Sequence, residues 1–299
     1  MSSPVIEILG VDRSFGRVAA VRDLTLRVAG GSIYGLLGDN GAGKTTTLRM
    51  LAGLLWPDRG DIRVGGVRPA DVTIEDRRAV GYVSEKQMLP PLMRAGSLIA
   101  FCAGLYPEWD AALVDRLLRR VRIDPRQRVG WLSGGTARKL SLLLALAQRP
   151  NVLLLDGPAA GLDAVAGREL LDELLDVVRE GDRTVFLSSH LLSHVERVAD
   201  EIGIIADGHL KVSESLDHLK ETVKRVRFFD FPPGRPRFQA PDAFRIVGQR
   251  DDVLVTMRVR ENAVPRLAAE YGCQYEIGDL NLEDIFVDIA GQSIDRGAL

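Results

Sequence analysis

Residues 38–45 read Gly-Asp-Asn-Gly-Ala-Gly-Lys-Thr, a glycine-rich loop of the P-loop pattern, which ends in lysine and a hydroxyl residue. The glycines let successive backbone N–H groups turn inward around phosphate oxygens. A helix that begins near Gly43 adds unpaired N–H groups and the positive end of its dipole. The flanks agree, because residues 32–37 read as a strand and residues 46–51 as a helix. A simple glycine-rich turn would leave Lys44 and Thr45 unexplained.

The composition is that of an ordinary globular chain. Its 299 residues are enough for about two domains. Hydrophobic residues make up 46% and charged residues 27% of the sequence, as in typical soluble domains. The net charge of −2 gives no reason to expect a nucleic-acid partner. Cys102 and Cys273 match no metal-binding spacing, so we expect free thiols.

The sequence contains no candidate for a membrane span or a secretory signal. No apolar run approaches the roughly 18 residues that a membrane-spanning helix needs, and the first residues lack a basic segment followed by an apolar one. In the longest apolar run, residues 140–147, the spacing of Leu140, Leu143, Leu144 and Ala147 indicates one face of a soluble helix. A membrane role would therefore have to come through a partner.

Strand and helix patterns divide the chain into three regions. Short apolar strands fill most of residues 4–90, residues from about 91 to 148 are mainly helical and rich in arginine, and apolar strands return at residues 152–155 and 185–187. Continuous apolar runs are typical of parallel strands that are covered on both faces. We expect an α/β domain over residues 4–221, in which helices flank a mixed sheet and residues 91–148 form a helical insertion.

The last part of the chain has a different pattern. The proline-rich segment 231–236 indicates a break. Apolar residues alternate over 253–259 as in a strand, Pro265 suits the first turn of a short helix through Tyr271, and apolar residues recur at helical spacing over 282–289. These patterns predict a small α+β domain over residues 222–299. It carries no chemical motif.

Two further motifs belong with the P-loop. Residues 152–156 form an apolar strand that ends in Asp156, the position from which a P-loop protein holds Mg²⁺. Upstream of it, Ser133, Gly134 and Gly135 begin a helix and expose backbone N–H groups, a second potential phosphate cradle. Ser-Gly-Gly alone is a common way to begin a helix. Ahead of an aspartate-terminated strand in a P-loop protein, the combination is highly specific.

With these motifs in this order, the chain resembles the ATP-binding subunit of an ABC transporter over roughly residues 4–215. Its tail resembles the C-terminal extension of exporter-type subunits. The resemblance implies a P-loop NTPase core with an antiparallel β subdomain, and ATP and Mg²⁺ as ligands. It implies that Phe15 stacks on adenine, with a core phenylalanine as the alternative. It assigns the phosphates to the loop residues Gly38, Asn40, Gly41, Ala42, Gly43, Lys44, Thr45 and Thr46.

The same resemblance implies a catalytic and metal-binding set. Lys44 reaches the β- and γ-phosphates, and Thr45, Glu85 and Asp156 hold Mg²⁺. Glu85 also senses the γ-phosphate, with Gln87 as the alternative if the register differs. His190 contacts the γ-phosphate. The segment Gly161-Leu162-Asp163 crosses between subunits.

The resemblance also implies partners. ATP lies between the P-loop of one subunit and the Ser133–Gly135 turn of a second ATP-binding subunit, in a homodimer or a heterodimer. Integral membrane permease subunits dock on the helical insertion, which places the chain at the cytoplasmic face of the cell membrane. A soluble ABC ATPase that acts on DNA or ribosomes is disfavoured, because the chain has one P-loop and no sustained heptads.

The sequence departs from the family pattern at Gly157, where the family has the glutamate that polarises the attacking water. General-base assistance is typically worth about 10²- to 10⁴-fold in rate, so we expect weak intrinsic hydrolysis and retained ATP binding. Two hypotheses remain open: a degenerate or regulatory member of a heterodimer, and a homodimer that turns over slowly. Asp39 and Thr136 are milder departures, and we expect Asp39 to point to solvent.

Overall fold

The computed structural model describes residues 4–86, 89–160, 162, 167–168, 171–172, 175–176, 178, 183–189, 192–234, 237–249 and 252–291. The chain divides into two compact units, Met1–Leu210 and Lys211–Leu299. The boundary at Leu210 lies within a strand, ahead of the division at residue 221 that the sequence pattern suggests, and that division stays a prediction.

Two sheets form the framework of the first unit. A three-stranded sheet has the order β2-β1-β4, in which β1 pairs antiparallel with both neighbours, and a six-stranded sheet has the order β5-β6-β7-β3-β8-β9. In the larger sheet the neighbours from β5 to β8 run parallel. The strands are β1 (Pro4–Phe15), β2 (Val18–Ala29), β3 (Ile33–Leu37), β4 (Arg59–Val64), β5 (Val80–Val83), β6 (Val152–Asp156), β7 (Thr184–Ser189), β8 (Glu201–Ala206) and β9 (His209–Ser215).

Helices connect the parallel strands, as the alternation of patterns predicts. The insertion predicted at residues 91–148 is helical apart from its connections, and it includes a short 3₁₀ turn at Val129–Trp131. Where the structure describes both ends of a helix, the helices of this unit are α1 (Lys44–Leu51), α2 (Ile74–Arg78), α3 (Ala95–Ala103), α4 (Ala111–Val121), α5 (Gly134–Ala147) and α6 (Leu192–Val198).

The core of the first unit surrounds α1. Leu48, Met50 and Leu51 of this helix belong to one buried cluster with apolar residues of both sheets. Within the cluster, Tyr34 of β3 stacks on Phe186 of β7 with ring centroids 5.1 Å apart. Because both sheets bury their apolar faces against it, α1 holds the loop that precedes it in a fixed position.

One expectation about α5 was too narrow. Its second half was expected to bury a single face, yet every residue from Leu140 to Ala147 is buried. The reason is that α5 packs against α3 and α4 as well as β5, so it is covered all round. The strands expected at residues 152–155 and 185–187 are confirmed as β6 and β7, and both are buried along their whole length.

The second unit is a four-stranded antiparallel sheet with helices. Its strand order is β11-β12-β10-β13, and a buried cluster, which includes Phe228, Phe238 and Tyr271, fills the space between the sheet and α8. The elements are α7 (Leu216–Thr222), β10 (Val223–Phe229), β11 (Ala243–Gln249), β12 (Asp252–Arg258), α8 (Ala263–Tyr271), β13 (Gln274–Gly278) and α9 (Leu282–Ala290). The predicted strand at 253–259 and the helices through Tyr271 and over 282–289 are confirmed within a residue or two.

A buried carboxylate fixes α9 to the four-stranded sheet of the second unit. Asp288 is 3% exposed and accepts hydrogen bonds from Arg225 of β10, Arg245 of β11 and Thr256 of β12. Burial acts to raise the pKa of Asp288, but the hydrogen bonds from Thr256 and the two guanidinium groups outweigh it and lower that pKa. One side chain therefore joins α9 to three strands.

Within the part of the chain that the structure describes, no helix combines the length and apolar character needed to cross a bilayer.

Candidate functional site

A cavity of about 200 Å³ opens where β3 and β6 end and α1 begins. The carboxyl ends of parallel strands meet at one edge of a sheet, which is why segments distant in sequence meet here. Its lining consists of Asn40, Gly41, Gly43, Lys44, Thr45, Thr46, Glu85, Asp156, Gly157, Ser188 and Ser189.

Gly43 shapes the loop that leads into α1. It has φ 111°, and a Cβ at this position would lie 2.4 Å from the carbonyl oxygen of Ala20. Only glycine fits there without moving the backbone. The N–H groups of the first turn of α1 therefore open onto the cavity, where an anion can accept from them.

Lys44 lies folded against its own loop. Its Nζ donates to the carbonyl oxygens of Gly38 at 2.7 Å and Asp39 at 2.9 Å. Burial lowers the pKa of Lys44, although the charges of Asp156, Asp39 and Glu85 act to raise it. The positively charged ammonium group of Lys44 therefore lies at the cavity, beside the glycine-rich loop. Asp39 itself is exposed, as expected for a loop aspartate that points to solvent.

A hydrogen-bonded group surrounds the Asp156 carboxylate. Its Oδ1 accepts from Thr45 Oγ1 at 3.0 Å and from Ser188 Oγ at 2.8 Å, and the side chain is 3% exposed. Ser188 Oγ also accepts from the Gly157 N–H at 3.0 Å. The carboxylate is therefore held next to the first residues of α1, and its second oxygen accepts no hydrogen bond from the residues that the structure describes.

The donor set fits Mg²⁺ that arrives with phosphates. A hydroxyl and two carboxylates line the cavity, from Thr45, Asp156 and Glu85, and oxygen ligands are those that Mg²⁺ prefers. Among the described residues, no group of three or more His, Cys, Asp or Glu could hold a metal ion. A site with one or two carboxylates is typical of Mg²⁺ that keeps water and substrate phosphates as further ligands.

Ser188 was missed in the sequence, although a signal for it existed. It lies directly beside Asp156 in the parallel register of β6 and β7. After Thr184 at the start of β7, both strands are apolar until their last residues, which are polar: Asp156 in β6, Ser188 and Ser189 in β7. Polar residues that end a buried parallel strand are candidates for the site at that edge of the sheet.

Other predicted residues lie outside the cavity lining. Ser133 and Gly134 are exposed at the start of α5 and do not line it, and neither does Gly135. Ala42 is buried beneath the loop, and Gly38 contributes its carbonyl to Lys44.

Phe15 lies at the surface. Its side chain is 49% exposed, with the Arg13 guanidinium 5.0 Å from the ring centroid. The core alternative is thereby wrong, and its stacking on adenine stays a prediction. His190, Gln87, Gly161 and Asp163 lie outside the described residues.

Gly157 has backbone geometry of its own. Its φ is +54°, the left-handed region, where an L residue is strained. There is nevertheless room for a side chain, because an added Cβ would lie 3.4 Å from the Ala160 Cβ and 3.5 Å from the Glu85 Cγ.

Comparison with known proteins identifies the family. The ABC transporter family pattern matches residues 21–160. A Nod factor export ATP-binding protein I of Burkholderia lata is 36% identical over 97% of this chain and 98% of its own length. A bacitracin transport ATP-binding protein of Bacillus licheniformis is 33% identical over 76% and 75%. A solved ATP-binding subunit of an ABC transporter is 28% identical, with a TM-score of 0.66 over 73% of this chain and 92% of that one. The chain therefore belongs to the ABC transporter family, as one of its ATP-binding subunits, which are ATPases.

Proposed function

We propose that this chain binds Mg-ATP at the interface of two ATP-binding subunits and couples that binding to export through membrane-embedded permease subunits. The observation that carries the proposal is the contact between Thr45 and Asp156 in the cavity beside Lys44. One cation can be held there between a hydroxyl and a carboxylate, at the point where the loop and α1 direct N–H groups toward phosphates.

A second subunit completes the site in this proposal. The cavity is smaller than the roughly 300–1,000 Å³ of common small-molecule sites, so it suits the phosphate end of a nucleotide better than the whole. Ser133 and Gly134 are exposed outside it, where they are free to close the nucleotide site of another chain. Phe15, exposed as well, is assigned to the adenine.

The direction of transport and the location are inferred from relatives. One is named for Nod factor export and another for bacitracin transport. We assign this chain to an exporter, at the cytoplasmic face of the cell membrane, where its helical insertion meets the permease. These assignments rest on the similarity to those two relatives.

Calorimetry with Mg-ATP tests the proposal directly. The wild-type chain should bind, and Lys44→Ala should bind far more weakly because the cation beside the phosphates is lost. Lys211→Ala, which removes a lysine of β9 that does not line the cavity, is the matched control and should bind like the wild type. Folded wild-type protein that does not bind Mg-ATP would refute the proposal.

Gly157 supports a second candidate, a regulatory or degenerate subunit that binds ATP with little turnover. The residue directly after Asp156 is glycine and not a carboxylate, so the attacking water lacks its usual base at that position. An assay of phosphate release distinguishes this candidate from a homodimer that hydrolyses ATP slowly. A slow homodimer hydrolyses ATP alone, whereas a degenerate subunit does so only when mixed with a second ATP-binding subunit that carries the glutamate.

A further inference from the structure

Arg138 joins the helix that begins with the Ser-Gly-Gly motif to two loops of the phosphate cavity. Its Nη2 donates to the carbonyl oxygen of Glu85 at 2.7 Å, and its Nη1 lies 3.5 Å from the carbonyl oxygen of Gly157. Neither the resemblance to the family nor the proposed function assigns a role to this arginine.

Gly157 is in turn hydrogen-bonded, through Ser188, to the carboxylate of Asp156. The Gly157 N–H donates to Ser188 Oγ at 3.0 Å, and Ser188 Oγ donates to Asp156 Oδ1 at 2.8 Å. Thr45 donates to the same carboxylate oxygen at 3.0 Å. A continuous series of polar contacts therefore connects the first residues of α1 with the guanidinium of Arg138.

The other end of the connection is the exposed start of α5. Arg138 is five residues after Ser133, about 7.5 Å along a helix axis. The first turn also touches the loop after β6, because a Cβ on Gly135 would lie 2.9 Å from the Leu162 side chain. If the start of α5 shifts, either these contacts break or the loops that carry Glu85 and Gly157 move with it.

Arg138 is also incompletely paired. Its Nε is buried, and none of the described residues accepts a hydrogen bond from it. Burial lowers the pKa of this guanidinium, while Glu85 acts to raise it. A buried donor without a partner is costly, so an arrangement of these loops that supplies another acceptor would be favoured.

We propose that Arg138 is a positioning residue that transmits the occupancy of the chain's own phosphate cavity to the Ser133–Gly135 turn. When Mg-ATP draws the Glu85 and Gly157 loops inward, the guanidinium carries the start of α5 with them. The inference rests on the proposed function, because it needs Mg-ATP to bind in this cavity. What the inference adds is the side chain responsible, because it assigns the link between the cavity loops and the start of α5 to the guanidinium of Arg138.

Trp131 offers a reporter for this movement. It lies two residues before Ser133 and is 72% exposed, and the sequence has only two other tryptophans, Trp56 and Trp109. With Trp56 and Trp109 changed to phenylalanine, we expect Mg-ATP to change the Trp131 emission. The measurement is made at protein concentrations that keep the chain monomeric, because a second subunit on the Ser133–Gly135 turn would also change the emission. The response should be present there, since the coupling is within one chain.

The decisive comparison is Arg138→Met, which keeps the aliphatic length and removes the donors. We expect it to bind Mg-ATP by calorimetry while most of the Trp131 response is lost. Arg138→Lys should rescue the response only partly, because an ammonium cannot contact two carbonyls in a fixed fork. Arg119→Met, which removes an exposed arginine of α4, is the matched control and should respond like the parent.

Hydrogen exchange on the otherwise unaltered chain gives a second measurement, free of tryptophan substitutions. At the same low protein concentration, where no second subunit covers the turn, Mg-ATP should slow the exchange of the amides of residues 134–137 in the wild type and not in Arg138→Met. Equal responses in both, or a response that appears only at high protein concentration, would overturn the inference. A parent that binds Mg-ATP without any response would also overturn it. Failure of the parent to bind Mg-ATP would instead overturn the proposed function, and the inference with it.

Discussion

The Thr45 hydroxyl donates a 3.0 Å hydrogen bond to Oδ1 of Asp156, across 111 residues of sequence. This contact brings the beginning of α1 to the end of β6, so the two oxygens are already adjacent before a cation binds. Such preorganisation lowers the entropic cost of assembling a metal site.

Thr45→Val should therefore weaken Mg-ATP binding by about tenfold or more, because the hydroxyl ligand is replaced by a methyl group of similar size. Thr45→Ser retains the hydroxyl and is the matched control. Calorimetry with and without EDTA checks the cause. If the valine variant loses as much affinity without Mg²⁺ as with it, the hydroxyl does not act through the metal.

Ser188→Ala should lower the free energy of unfolding by about 1 kcal/mol. The loss is modest because the Gly157 N–H also lies 3.2 Å from the Ser188 carbonyl oxygen, and Asp156 keeps its bond from Thr45. Urea denaturation measures the change. Ser193→Ala, on the exposed side of α6, is the control and should be neutral. Equal effects in both variants would contradict the role given to Ser188.

Mg-ATP affinity should fall at alkaline pH because of Lys44. Burial lowers its pKa in the free protein, and bound phosphates raise it, so binding is strongest where Lys44 is already protonated. Affinity is full below the lowered pKa and declines by up to about tenfold per pH unit above it. Calorimetry at increasing pH should show this decline in the wild type. Lys44→Arg, charged throughout the range, should bind more weakly with a flatter profile.

Gly157→Glu should raise the ATPase rate by about 10²-fold or more if a missing general base limits turnover. The strained backbone at φ +54° costs on the order of 1 kcal/mol for any side chain there. Gly157→Gln and Gly157→Ala share that strain without the carboxylate, so they are the controls. A steady-state phosphate assay compares the three. If the glutamate variant is no faster than the glutamine variant, the base is not what limits the rate.

Asp288→Asn should destabilise the second unit by about 1–3 kcal/mol. The value is below that of a fully buried pair because the Arg225 and Arg245 side chains are 31% and 47% exposed. Glu283→Gln, a change at an exposed residue of the same helix, is the control. The measurement is urea denaturation, monitored by the hydrogen exchange of amides in α9.

The pH dependence gives a second check on Asp288. Its folded pKa is lowered, so its contribution is present above the unfolded pKa of about 3.9 and is lost as pH falls through the folded value. The stability difference between wild type and Asp288→Asn should therefore shrink in acid. A difference that stays constant with pH would contradict the charge-based explanation.

The sequence predicts those parts of the site that rest on local patterns. A strand, a glycine-rich loop and a helix predict the position of Lys44, and an apolar strand ending in Asp156 predicts its neighbour, because both elements end at one edge of a parallel sheet. The left-handed backbone of Gly157 could not be predicted. The residue is glycine in the sequence, but its φ depends on the turn after β6 and on Ser188.

Contacts between elements far apart in sequence were also beyond prediction. The register of β6 and β7 decides that Ser188 lies beside Asp156, and no periodicity within either strand fixes that register. Likewise, the sequence does not distinguish among the many arginines of the helical insertion. Arg138 faces the Glu85 loop because of the rotation of α5 about its axis, which the sequence does not fix.

The position of β3 has a consequence for biosynthesis. This strand precedes the glycine-rich loop, and both its partners, β7 and β8, come from residues 184–206. A chain emerging from the ribosome carries the loop early, but the edges of β3 stay unpaired until more than half of the polypeptide has been made. Pairing over such separations is slow. The sheet that holds the glycine-rich loop is therefore completed only after β8 has been made, and until then the unpaired edges of β3 leave the nascent chain prone to aggregation.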